Sequence, residues 1–191
     1  MAKKIIIIGS GGHARSCLDV LLSEKKYKFL GFIDKNSSKR NIVGSDDDLK
    51  NIIKKVKHAL IGIGQIKNYT SRFKIFKKLK KIGFKLPIVK SHNSYVSKLS
   101  SIGEGTIIMH GAIINAYAKI GKNTIINTGA IIEHDVVVGD NCHISTNVTI
   151  NGECKIGNNT FIGSNSVVVN NIKIGKSKFV KSNSLIKNDL I

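Results

Sequence analysis

The stretch that decides the fold is INTGAIIEHDVVVGDNCHIS, residues 126–145. Within it an Ile or a Val recurs every six residues, at Ile126, Ile132, Val138 and Ile144. The same spacing continues without a break from Val96 to Ile186, and Ile or Val occupies all sixteen of its positions. Such a run is the hexapeptide repeat of a parallel β-helix.

The repeat also predicts how the β-helix is packed. Each hexad forms one short strand and one corner, and three hexads close a triangular coil of about 18 residues. The Ile or Val points inward, and a small residue four positions later fits beside it in the narrow core. Cys142 and Cys154 occupy such small-residue positions, so we expect them to be core residues and not nucleophiles. The length of the run corresponds to about five coils, each in contact only with its neighbours.

The first ninety residues follow a different pattern. Four apolar runs suited to buried parallel strands alternate with three segments of helical spacing. The expected strands are KKIIIIG, FLGFID, HALIGIG and FKLPIVK. This β-α-β-α-β-α-β order predicts a small, Rossmann-like parallel sheet with helices on its faces. We therefore expect an α/β domain over residues 1–90 and a left-handed parallel β-helix over residues 91–191.

Composition narrows the class of protein. Hydrophobic residues make up 41% and charged residues 23% of the 191 residues, as in a globular chain. No apolar run approaches the roughly 20 residues needed to cross a bilayer. The four-residue apolar run near the start is too short for a secretory signal. The three cysteines lack paired spacing, so we expect reduced thiols and a cytoplasmic protein.

The net charge of +19 allows three interpretations. Nucleic-acid binding would use it for phosphate contacts, but no zinc-finger, RRM or basic-zipper pattern is present. An anionic small ligand, such as a nucleotide or coenzyme A, would also be attracted. A compositional preference for Lys, with the side chains scattered over solvated faces, is the third interpretation.

The segment Glu133-His134-Asp135 carries the clearest chemical signal. His134 is the third residue of its hexad, so we expect it at a corner, pointing away from the core. Residues 18 apart stack along a β-helix face, which places the small residues Ala116 and Gly152 on either side of His134. A groove suited to an extended pantetheine arm would then run beside the imidazole. A histidine flanked by a carboxylate can accept a proton at neutral pH, as acetyl transfer to an amine or hydroxyl requires.

His110 occupies the same hexad position as His134 but is followed by Gly111. Because no acid follows it, we expect His110 to be a surface residue, with a contact to the substrate as the alternative.

The N-terminal segment GSGGHA, residues 9–14, follows a predicted strand, and Asp34 ends the next strand. This is the spacing of a dinucleotide fingerprint, so an NAD-dependent dehydrogenase is an alternative from another class. Against it, only about half the length of a full doubly wound domain precedes the repeat. A Gly-rich turn at a helix N-terminus binds any phosphate or anion equally well.

Together, GSGGHA at 9–14, FID at 32–34, IGIGQ at 61–65 and NTGAIIEHDVVVGDNCHIS at 127–145 resemble the NeuD/PglD-like family of sugar O- or N-acetyltransferases. The resemblance covers nearly the whole chain. It implies a left-handed β-helix, acetyl-CoA as co-substrate and a homotrimer with its active sites between neighbouring β-helices. It implies no metal and no nucleic-acid partner.

The resemblance also assigns roles to residues. It implies that His134 is the catalytic base and that Asp135 raises its basicity. The predicted acetyl-CoA contacts are His143, Gly152 and Ser164. The predicted contacts to a nucleotide sugar are Gly11, Gly12, His13 and Asp34, together with Gly64. Asn127, just after the inward Ile126, is a further candidate from its position alone, with a role in the turn as the alternative.

The resulting prediction is an acetyl-CoA-dependent N-acetyltransferase acting on a nucleotide-linked amino sugar in bacterial surface-glycan biosynthesis. Two alternatives stay open within the fold. One is O-acetylation of a sialic-acid-type sugar, because the same base serves a hydroxyl acceptor. The other is a β-helix protein that binds a sugar nucleotide without turnover.

Overall fold

The computed structural model describes residues 2–35, 41–66 and 68–191. Its first part is a four-stranded parallel sheet with the strand order β3-β2-β1-β4. The strands are β1 (Lys3–Ile8), β2 (Tyr27–Ile33), β3 (Ile42–Gly44) and β4 (His58–Ile61). The helices are α1 (Gly12–Ser23), α2 (Leu49–Lys55) and α3 (Thr70–Ile82). All three predicted helices are confirmed, and none in the described part of the chain could span a membrane.

The uninterrupted apolar run of β1 explains the layering. Ile5, Ile6, Ile7 and Ile8 are all buried, because the sheet is covered on both faces. Ile5 and Ile7 pack with α1 on one face, whereas Ile6 and Ile8 pack with α2 and α3 on the other. The period-2 alternation of a strand thus assigns its side chains to two separate cores.

The fourth strand differs from the prediction. Residues 84–90 were expected to complete the sheet, but only Lys85 forms a bridge with it, to His58. The edge position beside β2 is taken by β3 instead. Pro87 lacks a backbone N–H and interrupts the ladder in the middle of the segment. The end of the segment, Val89–Lys90, already belongs to the β-helix.

The remaining strands form a parallel β-helix of three sheets. The first sheet contains β5 (Val89–Lys90), β8 (Ile107–Ile108), β11 (Ile125–Ile126), β14 (His143–Ile144), β17 (Phe161–Ile162) and β20 (Phe179–Val180). The second contains β6 (Tyr95–Val96), β9 (Ile113–Ile114), β12 (Ile131–Ile132), β15 (Thr149–Ile150), β18 (Val167–Val168) and β21 (Leu185–Ile186). The third contains β7 (Ser101–Ile102), β10 (Lys119–Ile120), β13 (Val137–Val138), β16 (Lys155–Ile156) and β19 (Lys173–Ile174).

The repeat accounts for the core of this β-helix. Residues 18 apart pair in register, as with Ile126 and Ile144, so the second residue of every strand stacks inward. Cys142 and Cys154 are fully buried in that core, as predicted. Many corners contain a residue with a positive φ, usually Asn, which tolerates this conformation better than most residues.

The α/β domain packs against the outer face of the first sheet. Val89, Ile107 and Ile125 share one apolar cluster with α1 and β1. Arg72 of α3 is fully buried at this junction and donates to four backbone carbonyls, those of Ile61, Ile63, Gly105 and Asn123. Two of these carbonyls belong to the α/β domain and two to the β-helix, so one guanidinium joins both parts.

Candidate active site

His134 lies at the corner between the second and third sheets. Its Nδ1 lies 2.9 Å from Asp135 Oδ2, and both side chains are about half exposed. Because a carboxylate only accepts, Nδ1 carries the proton and Nε2 offers a lone pair to solvent. The hydrogen bond to Asp135 raises the pKa of His134, with smaller contributions from Glu133 and Glu153. The corner can therefore accept a proton.

The position of Asp135 follows from the geometry of the corner. Its φ of 61° is the left-handed conformation that corner residues adopt throughout the β-helix. Asp tolerates this conformation better than most residues. A carboxylate at this position lies directly beside the preceding imidazole, as the spacing of the pair suggested.

Gly152 lies over the His134 ring, as the 18-residue stacking predicts. A Cβ at Gly152 would lie 2.7 Å from Cε1 and 2.8 Å from Nε2 of His134. One coil below, the Ala116 carbonyl accepts from the Asp135 N–H at 3.1 Å. The absence of a side chain at Gly152 therefore leaves the space that the imidazole occupies.

A second polar cluster surrounds His143 on the outer face of the first sheet. This ring is 5% exposed, and its Nδ1 is hydrogen-bonded to the carbonyl of Gln65. A carbonyl only accepts, so Nδ1 is protonated and Nε2 accepts from Asn127 Nδ2 at 3.1 Å. Burial lowers the pKa of His143 to about 4, so the ring is neutral at pH 7.

His13 and Gly64 lie beside His143. The rings of His13 and His143 have centroids 6.5 Å apart, and a Cβ at Gly64 would contact His13 at 3.6 Å. Burial and nearby Arg72 lower the pKa of His13 to about 3. His13 Nε2 and Gln65 Oε1 are buried and have no hydrogen-bond partner among the residues that the structure describes. Two unsatisfied polar atoms thus face this junction of the two domains, where a ligand group or water would satisfy them.

The Gly-rich loop lies at the carboxyl end of β1. Within residues 2–35, 41–66 and 68–191, a Cβ at Gly11 or Gly12 would meet no atom within 4 Å, so these residues leave the space above the N-terminus of α1 open. No side chain caps that N-terminus. Asp34 accepts a hydrogen bond from the Ser10 hydroxyl of the same loop. This arrangement, with free N–H groups and a positive helix end, suits a phosphate.

Ser164 lies at the corner between the first and second sheets, where its hydroxyl lies 2.9 Å from that of Ser145. Asn127 occupies the same corner, one coil before Ser145. His134 and Gly152 instead occupy the corner at the other edge of the second sheet. A single chain therefore holds two of the predicted acetyl-CoA contacts, Gly152 and Ser164, at two separate corners.

Three residues near these clusters have contacts that the sequence did not predict. Gln65 donates its amide N–H to the Asn141 carbonyl at 2.7 Å and positions His143 through its own carbonyl. Asn115 donates to Glu133 at 2.8 Å and holds that carboxylate one position before His134. Arg72 is one of only three arginines in a lysine-rich chain, and this rarity was the available signal.

His110, predicted to be a surface residue, has a side chain that is 33% exposed and hydrogen-bonded at both ring nitrogens. Its Nε2 lies 2.9 Å from Asp19 of α1, and its Nδ1 lies 2.6 Å from the Ser91 hydroxyl. Ser91 itself is buried. This chain of side chains therefore fastens α1 to the first coil. Among the described residues, no group of three or more His, Cys, Asp or Glu side chains is arranged to hold a metal ion.

Comparison with known protein families gives two matches. Residues 4–79 match the PglD N-terminal domain, and residues 117–152 match the bacterial transferase hexapeptide repeats. No curated protein matches the chain in sequence.

Solved structures resemble the whole chain. One is a variant of perosamine N-acetyltransferase from Caulobacter crescentus in complex with CoA and GDP-perosamine. Its TM-score is 0.93, and its sequence is 27% identical, with 100% of this chain and 91% of that chain covered. The acetyltransferase domain of PglB from Neisseria gonorrhoeae has a TM-score of 0.93 and 23% identity, over 100% and 93% of the two chains. WeeI from Acinetobacter baumannii has a TM-score of 0.73 and 22% identity, over 96% of each chain. At such identity the last two show a shared fold.

The two matches fall on the two domains in the order in which the fold presents them, and the His134 corner lies inside the matched repeats. The chain is therefore a sugar acetyltransferase of the hexapeptide-repeat class, with a PglD-type N-terminal domain and a left-handed β-helix.

Proposed function

We propose that this enzyme transfers the acetyl group of acetyl-CoA to the amino group of a nucleotide-linked amino sugar during the synthesis of a bacterial surface glycan. The observation that carries the proposal is the half-exposed His134–Asp135 pair, in which the imidazole is oriented by the carboxylate and offers Nε2 as a proton acceptor. The similar perosamine N-acetyltransferase was crystallised with CoA and GDP-perosamine, which supports the substrate class.

In this proposal, His134 Nε2 accepts a proton from the sugar amine as the nitrogen attacks the thioester carbonyl. The C–S bond then breaks, and the proton passes from His134 to the departing thiolate of CoA. Asp135 holds the Nδ1 proton and stabilises the imidazolium while it exists. The raised pKa of His134 increases its strength as a base, while a half-exposed ring remains accessible to both substrates.

We assign His143 to the coenzyme region as a neutral ring that orients Asn127. Its own N–H is already donated to Gln65, so the amide of Asn127 supplies the remaining donor for the developing oxyanion. Gly152, which lies directly against the His134 ring, and Ser164 would border the pantetheine arm.

We assign the nucleotide to the loop at the carboxyl ends of β1, β2 and β4. Its phosphates would lie on the N–H groups of Gly11 and Gly12 at the start of α1. Asp34 would accept from a hydroxyl of the ligand, and His13 and Gly64 would border the sugar near the junction of the domains.

A homotrimer would bring the two corners together. The outer face of the second sheet carries a mostly apolar column, in which Tyr95 and Leu185 are well exposed and Ile113, Ile131 and Val167 are partly exposed. Thr149, between Ile131 and Val167, is its polar member. This column runs between the His134 corner and the corner of Asn127 and Ser164. Packing it against a second copy would cover apolar surface and place the two corners of different chains side by side.

The test combines a thermal-shift panel with a turnover assay. We expect acetyl-CoA and one of the UDP-, GDP- or CMP-sugars to raise the melting temperature, and NAD to leave it unchanged. With acetyl-CoA and the stabilising 4-amino sugar nucleotide, release of free CoA thiol should be lost in His134→Ala. Undiminished turnover in His134→Ala, or stabilisation by NAD alone, would refute the proposal.

A further inference from the structure

The positive charge of this chain is concentrated in one domain. Residues 1–90 contain 22 Lys and Arg against 6 Asp and Glu, whereas residues 91–191 contain 9 against 6. A general preference for lysine would load the exposed corners of the β-helix as well, but those corners carry mainly Asn, Gly and Ser. Such an asymmetry between two parts of a chain points to an anionic partner for the charged part.

The lysines of the α/β domain gather at one edge of its sheet. We call Lys26, Lys3, Lys57 and Lys85 the lysine row, in their spatial order across the amino ends of the parallel strands. The Lys3 N–H donates to the Lys26 carbonyl at 3.3 Å, and the Lys85 N–H donates to the Lys57 carbonyl at 2.9 Å. Lys57 directly precedes His58, which pairs with Ile5 of β1. All four side chains are exposed.

The helices add further lysines at the same edge. In an alternating α/β arrangement, helices run antiparallel to the strands, so they end where the strands begin. Lys54 and Lys55 occupy the last turn of α2, and Lys80 and Lys81 occupy that of α3. Lysine in a last turn is favourable for the helix itself. The lysine row has no such explanation, since its members lie at strand starts and beside a strand.

The lysine row has few counterions. Among the described residues, Lys26 pairs with Glu24 at 3.5 Å, and Lys80 near the row pairs with Glu104 at 2.7 Å. No ion pair within the described part of the chain involves Lys3, Lys57 or Lys85. Neighbouring strands are only about 5 Å apart, so like charges at this edge repel one another. Lys3 and Lys85 also contribute, after burial, to the lowered pKa of His58.

This edge lies opposite the proposed substrate site. The lysine row marks the amino ends of the strands, whereas Gly11, Gly12 and Asp34 lie at their carboxyl ends. A nucleotide bound at the carboxyl ends would therefore not neutralise the lysine row. The lysine row therefore suits a second anionic partner. Such a partner would present many negative charges over a broad surface and would leave the substrate site open.

We propose that the lysine row and the neighbouring helix ends dock on an anionic phospholipid surface. The attraction is electrostatic, because exposed lysines are spread over the edge. No helix in the described part of the chain is long and apolar enough to cross a bilayer. Docked in this way, the enzyme would face its substrate site away from the bilayer.

The experiment is co-sedimentation of the full chain with vesicles of phosphatidylcholine alone or mixed equally with phosphatidylglycerol. We expect binding to the anionic vesicles only, weakening as salt rises above about 0.1 M. The triple variant Lys3→Gln, Lys57→Gln, Lys85→Gln should partition about a hundredfold less, since each lysine near an anionic surface is worth about fivefold. Loss of binding to phosphatidylglycerol in this variant supports the proposal.

The matched control is Lys119→Gln, Lys155→Gln, Lys173→Gln. These exposed lysines lie on the third sheet of the β-helix, and their replacement removes the same net charge. We expect this control to bind the anionic vesicles nearly as the parent does. Equal losses in both triple variants, or no binding of the parent to phosphatidylglycerol, would overturn the proposal. Binding of the parent to single-stranded RNA without binding to vesicles would also overturn it, in favour of a nucleic-acid partner.

Discussion

Gly152 covers the imidazole of His134 so closely that a Cβ there would lie 2.7 Å from Cε1. The two residues are 18 positions apart, one full coil of the β-helix, and belong to the same corner in successive coils. The absence of a side chain on Gly152 therefore leaves room for the imidazole of His134 at this corner.

The first prediction follows from that contact. Gly152→Ala will push the imidazole aside and lower turnover about a hundredfold, because a shift of about 1 Å can misalign a reacting group. The obstructing atoms belong to a side chain that can rotate, so the melting temperature should stay near that of the parent. Steady-state kinetics and a thermal melt measure the two effects. Asn170→Ala, one coil further along the corner, is the control and should leave kinetics unchanged.

The second prediction concerns pH. The Asp135 carboxylate raises the pKa of His134, and only the neutral ring can accept a proton, so turnover falls as pH drops through that raised pKa. In Asp135→Asn the pKa falls, which moves the acidic limb of kcat/KM to lower pH. Turnover at pH 7 also falls, because the weaker base is no longer oriented. An acidic limb unchanged in Asp135→Asn would show that another group controls it.

The third prediction concerns Arg72, which joins the two domains through four carbonyls. Arg72→Met will leave those buried acceptors without a donor, and each such loss costs about 1–3 kcal/mol. The effects overlap, so we expect the free energy of unfolding to fall by at least about 3 kcal/mol in urea titrations. Lys74→Met, at an exposed position of the same helix, should change it by less than about 0.5 kcal/mol. Similar values for the two variants would contradict the bridging role.

The fourth prediction concerns stability in acid. Burial lowers the pKa of His143 to about 4 from its usual 6.5, so the unfolded chain alone binds a proton between those values. The free energy of unfolding therefore falls as pH drops from 6.5 towards 4, by up to about 1.4 kcal/mol per pH unit from this one group. His13, with its pKa lowered to about 3, acts in the same direction. His143→Gln should flatten the profile, whereas the exposed His92→Gln should not.

The fifth prediction tests the proposed trimer. Ile131 lies in the middle of the apolar column on the second sheet and is partly exposed. Ile131→Lys will place a charge in the proposed interface, so sedimentation should show monomers and turnover should be lost. Lys155→Glu on the third sheet should keep the parental oligomer. A monomeric parent with full turnover would show that one chain suffices.

The β-helix was predictable from the sequence because every hexad repeats the same physical requirement. In each hexad one aliphatic residue fills the core and the chain then turns at a corner. The sixteen Ile or Val positions are therefore sixteen separate indications of the same fold. The α/β sheet was less predictable at its edge. Three residues, Ile42–Gly44, form the fourth strand, and so short an apolar run carries little periodic signal. The longer segment 84–90 looked more like a strand, but Pro87 lies within it.

The site was predictable only where it depends on local spacing. His134 and Asp135 are adjacent, and Gly152 follows from the coil length, so sequence reasoning reaches all three. The hydrogen bond that His143 Nδ1–H donates to the Gln65 carbonyl joins residues 78 positions apart. It forms only when the α/β domain packs on the β-helix. The same is true of His110, whose partner Asp19 lies 91 positions away. Packing between the two domains produces no periodic pattern in the sequence, so these contacts could be found only in the structure.

The shared apolar cluster of Val89, Ile107 and Ile125 with α1 has a consequence for local unfolding. A solenoid alone can fray from either end, because each coil is held only by its neighbours. Here the α/β domain packs on the first three coils and stabilises them, so we expect the β-helix to unfold locally from its C-terminal coils. Amide hydrogen exchange should be slowest near Ile125 and become faster coil by coil towards Ile186. His134 stands in the third coil, on the slowly exchanging side of that gradient, where its corner keeps its shape between turnovers.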